Sequence, residues 1–294
     1  MRNYGSISLD GSFSIVAENK AEGDMHLKGA YNIIAGNSFS TIYMENAHSN
    51  IICNNSLLCL WVGFYGHTCS NNTICKNKFT GPGIWGISMG TGAYNVFHDN
   101  LISNYKGEYS GYGIALGGYG QIAENNMFYR NIFINNNRHV STNWEVLGAG
   151  NYWDNGKEGN YWDDYSGTDA DGDGIGDTPY IVKGVIWDEN VRGHVEFVFG
   201  QDNYPLMSPF DINTISMELP EWALTILNAS PEPKPNQSSP PNPLPDPNLT
   251  PQTQMSEPFP LTWTLAAAGS VVAILIGIAF KFAKIKKNNK QVAR

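Results

Sequence analysis

Four closely spaced aspartates carry the sharpest chemical signal in this chain. Asp169, Asp171, Asp173 and Asp177 fall at positions 1, 3, 5 and 9 of one loop, and Gly174 stands at position 6, where a sharp turn needs positive φ. That spacing aims several carboxylates at one centre and suits Ca²⁺, with Ile175 offering its backbone carbonyl at position 7. Position 12 is Tyr180 and no helices flank the loop, so it is not an EF-hand. A structural Ca²⁺ is the expectation. The alternative is a solvated acidic turn, which must bear the mutual repulsion of its carboxylates.

Acid–base chemistry would draw on His98, Asp99, Glu124 and Arg130, which lie in neighbouring copies of a repeat. They are also ordinary outer-face residues, and the acid pairs of polysaccharide-cleaving solenoids are not recognisable, so a non-catalytic protein is expected. Cys53 and Cys75 share one repeat position, followed in that column by His98 and Glu124. Stacked coils would bring the two cysteines within disulfide range, and outside the cell Cys59 with Cys69 would form a second bridge. Tyr152, Trp153, Tyr161, Trp162 and Tyr165 offer faces for stacking on sugars, but their place after the last repeat favours a lid over an open core.

These residues are positioned by a repeat. Asn32-Ile33-Ile34-Ala35-Gly36-Asn37-Ser38-Phe39 aligns with the segments starting at Asn50, Asn72, Asn95 and Gln121. Each has an amide, an apolar or β-branched pair, a second Asn five residues on, and an apolar residue two beyond. Short runs of alternating pattern, such as Ile42-Tyr43-Met44, Ile87-Ser88-Met89 and Ile114-Ala115-Leu116, add a second strand per copy. No Leu-rich consensus or helical leg is present, so the expectation is an all-β, right-handed parallel β-helix.

In that fold Ile34, Ile52, Ile74, Phe97 and Ala123 form one inward row, and Phe39, Leu57, Phe79, Ile102 and Phe128 another. Asn37, Asn55, Asn77, Asn100 and Asn126 form a hydrogen-bonded ladder. Coils lengthen between Phe79 and Ile87 and between Ile102 and Ile114. The insertions carry Trp85, Tyr105, Lys106, Glu108, Tyr109 and Tyr112. Of these, Trp85, Tyr105, Tyr109 and Tyr112 are the expected ligand-binding residues, with a glycan as the guest.

Of 294 residues 15% are charged, and the net charge of −9 with no basic patch excludes a nucleic-acid partner. The expected organisation is coils over 1–140, lacking upstream coils and a signal peptide, then a capping region over 141–212. A Pro/Ser/Asn-rich linker over 213–260 follows, with Asn-x-Ser/Thr sequons at Asn228, Asn236 and Asn248. Residues 261–282 read as one transmembrane helix and 283–294 as a basic tail, which puts the C-terminus in the cytoplasm and the β domain outside the cell.

The Asn-rich coils, the block Asn160-Tyr161-Trp162-Asp163-Asp164-Tyr165 with its Asp-rich loop, and Asp202-Asn203-Tyr204-Pro205-Leu206-Met207 resemble archaeal parallel β-helix proteins grouped with the NosD-type periplasmic copper-binding family. The resemblance spans about residues 25 to 210. It implies a surface or periplasmic β-helix related to carbohydrate-binding and sugar-hydrolase solenoids. The family name prompts a copper site from Cys53, Cys75 and His98, which no Cys-x-x-Cys, His-x-His or Met-rich motif supports. The functional expectation is a membrane-anchored surface protein for adhesion or carbohydrate binding. A polysaccharide lyase or hydrolase and a copper-handling module are the alternatives.

Overall fold

A computed structural model describes residues 5–107, 111–117, 122–142, 150–188 and 191–228. They form one unit ending at Ala223 and the start of a second at Leu224, of which only the end of the helix Glu221–Asn228 is described. The chain is mostly β, and its strands pair almost entirely in parallel, consistent with a β-helix. One six-stranded sheet stacks Ile15–Ala17, Ile33–Ala35, Ile51–Cys53, Thr73–Cys75, Val96–His98 and Met127–Tyr129. A larger parallel sheet closes the other sides of each coil. The exception is the antiparallel hairpin of Tyr180–Asp188 with Gly193–Asp202.

Two asparagine files hold the coils in register. In the first, Asn50, Asn72, Asn95 and Asn126 each donate from Nδ2 to the Oδ1 of the next Asn, at 2.9–3.1 Å, ending at Asn151. In the second, Asn19, Asn37, Asn55, Asn77, Asn100 and Asn131 do the same, ending at Asn160. Each Oδ1 also accepts a backbone N–H from the coil before it. Buried amides are therefore satisfied along the whole stack, which removes a penalty of about 1–3 kcal/mol per orphaned group.

The residue before the ladder Asn adopts a left-handed turn in successive coils. Tyr31, Ser49, Asn71, Tyr94 and Asn125 do so on one file, and Gly36, Asn54, Lys76, Asp99 and Arg130 on the other, all with φ between 52° and 69°. Phe13 and Tyr31, at this turn in successive coils, stack at 5.1 Å.

The fifth coil corrects the expected alignment. Coil spacing runs 18, 22, 23 and then 31 residues, so Asn126 pairs with Asn95, and Asn131 is the partner of Asn100. The inward row is Ile34, Ile52, Ile74, Phe97 and Phe128, whereas Ala123 pairs with Gly92. The other row runs Phe39, Leu57, Phe79, Ile102, Phe133 and Trp162, without Phe128. The coil lengthened by its insertion carries a second amide pair five residues apart, and hydrogen bonding selects that pair.

Trp153 and Trp162 are buried and continue the stacks, on Phe128 at 4.8 Å and on Phe133 at 4.3 Å. Tyr180 stacks on the far side of Trp162 at 4.4 Å. The two tryptophans lie over the end of the coils, as a lid must, while Tyr152 is exposed. Just after residue 212 the chain still touches the coils, where the Ile215 carbonyl accepts Lys76 Nζ at 2.5 Å. Among the described residues no helix is long and apolar enough to cross a membrane. The expected span 261–282, the basic tail and the Pro-rich part of the linker lie outside the described residues.

Candidate functional site

A cleft of about 500 Å³ runs over the first coils and reaches Thr80. Ser38, Ser56 and Lys78 are register partners in three successive coils, and Ser40, Thr80 and Glu22 complete its polar rim. Thr80 leads directly into the insertion before Trp85. The cleft is open, with hydroxyls and one lysine beside the half-exposed Leu58.

The expected ligand-binding aromatics separate. Tyr105 is fully buried, and its hydroxyl donates to the Leu58 carbonyl at 2.6 Å. A Cβ on Gly86 would meet the Tyr105 ring at 2.8 Å, so that glycine makes room for it. Burial pushes its phenol pKa up. Tyr105 is therefore core, a correction to its expected ligand-binding role. Trp85 is half-buried against Trp61 at 5.7 Å, and Tyr112 is half-exposed in the adjoining strand Tyr112–Leu116. Tyr109 and Glu108 lie outside the described residues.

The sequence reading missed the outward rings of the neighbouring strands. His26, Tyr43 and Trp61 are register partners, with ring centroids 5.0 and 5.7 Å apart. Phe64 leans on Trp61 at 4.7 Å. Alternation could have shown them, because Ile42-Tyr43-Met44 and Leu60-Trp61-Val62 put an aromatic between two inward residues.

The cysteine column is Ala35, Cys53, Cys75, His98 and Tyr129. Glu124 is not in it; Glu124 pairs with Ala93 and is exposed. All four cysteines are thiols here. Cys53 and Cys75 are register partners on adjacent coils. The neighbouring Cys53 thiol, together with burial, pushes the Cys75 thiol well above its ordinary range. The thioether of Met217 lies 3.2 Å from Cys75 Sγ, which gathers two thiols and a thioether. No sequence signal links residues 142 positions apart, so this neighbour was not foreseen. Cys69 Sγ is inside the coil, donating to the Met44 carbonyl at 3.4 Å, whereas Cys59 is half-buried beside Trp61. Burial pushes the Cys59 thiol up to about 12 and the Cys69 thiol up to about 11.

Of the acid–base candidates, three converge. Asp99 and Arg130 occupy the same left-handed turn in consecutive coils, so Arg130 Nε meets Asp99 Oδ1 at 2.8 Å. His98 Nδ1 lies 2.8 Å from Asp99 Oδ2, and Arg130 Nη1 reaches Glu158 at 2.7 Å. Burial opposes ionisation of Asp99, but His98 and Arg130 outweigh it and hold the carboxyl below its usual range. Phe210 covers the Arg130 guanidinium at 4.7 Å. With every charge paired and the guanidinium covered, the cluster acts as a brace.

In the acidic loop Asp169, Asp171 and Asp173 bring carboxylate oxygens within 4.8 Å of one another. Asp177 turns away, accepting from Ala170 N and Thr168 Oγ1. Gly174 has φ of 88°, as its place in the loop requires. Ile175 bridges to Leu206.

A second cluster joins His139 Nε2 to Asp163 at 3.0 Å and to Asp164 at 3.3 Å. Asn136 is pinned by accepting from Tyr105 N and donating to the Ile102 carbonyl, so its Nδ2 faces His139 Nδ1. In the neutral ring Nδ1 must then accept, and the Nε2 proton points at the aspartates, which suits a hydrogen bond and not metal ligation.

No curated protein and no solved structure matches this chain. The family model of the periplasmic copper-binding protein (NosD) matches residues 3–167, and with more than half of its length covered the chain belongs to that family.

Proposed function

We propose that this chain is a right-handed β-helix module displayed outside the cell, tethered by its 261–282 span, which binds carbohydrate without cleaving it and so serves adhesion. The observation that carries this reading is the open cleft of about 500 Å³ that runs over Ser38, Ser56 and Lys78. Its serine and threonine hydroxyls, Lys78 and Glu22 supply the donors and acceptors that sugar hydroxyls need, beside the apolar Leu58. The periplasmic family supports an extracytoplasmic setting, and right-handed winding is the rule for parallel crossovers.

Screening the full chain on a glycan array, with Ser56→Trp as the cleft-filling variant, tests the reading. Retention of a glycan, lost in Ser56→Trp, is expected. Release of shortened oligosaccharides would instead assign a polysaccharide-cleaving enzyme, and binding that survives Ser56→Trp would move the site elsewhere.

A second reading is favoured by one observation, the Cys75–Met217 contact of 3.2 Å beside Cys53. Two thiols and a thioether are soft donors that fit Cu(I), in keeping with the family description. The residues that would hold the ion are Cys53, Cys75 and Met217; His98 turns its Nδ1 to Asp99. Cu(I) titration against a chromophoric chelator is expected to show one ion per chain, lost in Cys53→Ser and weakened in Met217→Leu. Equal uptake by Cys53→Ser removes this reading. A structural Ca²⁺ held by Asp169, Asp171 and Asp173 is proposed for the capping region.

A further inference from the structure

The strand ends beyond Met44 and Val62 enclose a small pocket apart from the cleft described above. Its volume is about 70 Å³, and its walls are the rings of Tyr43, Trp61, Phe64 and Tyr65, with Glu45 and His67 at the rim. The rings do not stack. Tyr43 and Trp61 are inclined at 50°, Trp61 and Phe64 at 49°, and Phe64 and Tyr65 at 55°. Inclined planes turn several π faces toward a shared space, whereas parallel planes would consume those faces on one another.

The pocket is too small for a pyranose, being roughly two to three water volumes. It suits a compact head such as a methylated ammonium, which is attracted to the negative faces of aromatic rings. The local charge has the complementary sign. Glu45 accepts Lys28 Nζ at 2.9 Å on one side, and Asp10 is the register partner of Lys28 in the neighbouring strand, so two carboxylates stand against one lysine. His26 and His67 approach Glu45 at 3.6 and 3.8 Å. Tyr65 is 85% exposed, so one wall of the pocket faces solvent.

We propose that Tyr43, Trp61, Phe64 and Tyr65 form an aromatic cage, closed at its rim by Glu45, that binds a small soluble quaternary ammonium compound of the choline or betaine type. The inference is independent of the carbohydrate and copper readings.

The test is calorimetric titration of the full chain with choline, tetramethylammonium and 3,3-dimethylbutanol, the uncharged isostere of choline. Both cations are expected to bind at one site and to perturb tryptophan fluorescence, with the isostere at least tenfold weaker. Trp61→Ala is expected to weaken choline binding more than tenfold, and Glu45→Gln several-fold with an unchanged melting curve. Should Trp61→Ala fail to fold, Phe64→Ala takes its place with the same expectation. Equal binding of the isostere would reduce the site to an apolar pocket and overturn the proposal. Absence of choline binding, or binding unaffected by both the Trp61 or Phe64 variant and Glu45→Gln, would also overturn it. So would sedimentation with phosphatidylcholine vesicles without any response to free choline, which would assign the lipid headgroup instead.

Discussion

The Asp202 carboxylate ends the second asparagine ladder by accepting the backbone N–H of Asn160 at 2.6 Å. The same oxygen accepts Trp162 Nε1 at 2.9 Å, and the other oxygen accepts Tyr204 N at 3.0 Å. A Cβ on Gly159 would lie 1.7 Å from Asp202, so the glycine is what lets the carboxylate approach. One side chain from the hairpin thus satisfies donors that the last coil would otherwise leave bare.

Removing it has a predictable cost. Asp202→Ala strands the Asn160, Trp162 and Tyr204 N–H groups and is expected to destabilise the protein by about 3 kcal/mol or more in urea unfolding. The pH dependence has a definite sign. Burial pushes the Asp202 carboxyl up to about 6, whereas in the unfolded chain it ionises near its ordinary value of about 4. Between those values the folded protein keeps a proton that the unfolded chain has lost. The contribution of this group therefore falls as pH rises through that window, by about 3 kcal/mol in total. Asp202→Asn should flatten the slope between pH 4 and pH 6.5, and superimposable slopes for the two proteins would refute the assignment.

Mid-ladder asparagines should matter as much as the cap. Asn77 is fully buried; its Oδ1 accepts from Asn55 N and Nδ2, and its Nδ2 donates to Asn100 Oδ1 and the Ile52 carbonyl. Asn77→Ala leaves groups unpaired on both neighbouring coils and is expected to cost about 3 kcal/mol. Asn77→Asp keeps the shape but places an anion against the Asn100 oxygen, so it should be no milder. A midpoint within about 0.5 kcal/mol of wild type would contradict the ladder's stabilising role.

How far the sequence carried this structure depends on whether a signal was local. Period and alternation were legible because each coil repeats the same demand on its residues. Four of the five aligned copies kept their register. The fifth did not, because Gln121 to Asn126 and Asn126 to Asn131 are both amide pairs five residues apart. Only the ladder across the 31-residue coil selects the second. The brace of Asp99 and Arg130 was half legible, since both residues were marked but their shared left-handed turn was not. Met217 was illegible, because its partner is far away in the chain and thioethers carry no pattern.

The brace predicts how the segment after residue 208 is held. Arg130 pairs with Asp99 and Glu158 while Phe210 lies across its guanidinium. Arg130→Ala leaves the nearly buried Asp99 facing only His98 and is expected to cost about 3 kcal/mol. It should also expose the chain near Phe210 to limited proteolysis. The Asp99 carboxyl is held below its ordinary value, so its stabilising effect is present above that value and lost as pH falls through the folded one. In Arg130→Ala the acid loss should begin at higher pH. An unchanged acid midpoint together with unchanged cleavage would show that the ion pair neither stabilises the fold nor holds the segment.

The acidic loop separates two roles for its carboxylates. Asp169 accepts the N–H groups of Gly172, Asp173 and Gly174 at 2.7, 3.2 and 3.0 Å, so it shapes the loop with or without an ion. Asp171 accepts only Asp173 N, at 3.3 Å, and its charge remains to meet a cation. If Ca²⁺ is structural here, saturating it at a hundredfold above its dissociation constant should add about 2.7 kcal/mol of stability. Asp171→Asn should then abolish the response to Ca²⁺ while leaving the chelated protein's melting temperature unchanged. Asp169→Asn should lower that temperature in chelator as well, because it weakens hydrogen bonds that exist before any ion arrives. Identical melting in excess Ca²⁺ and in chelator would leave the loop as a turn held by its own side chains, with Asp169 still the residue that shapes it.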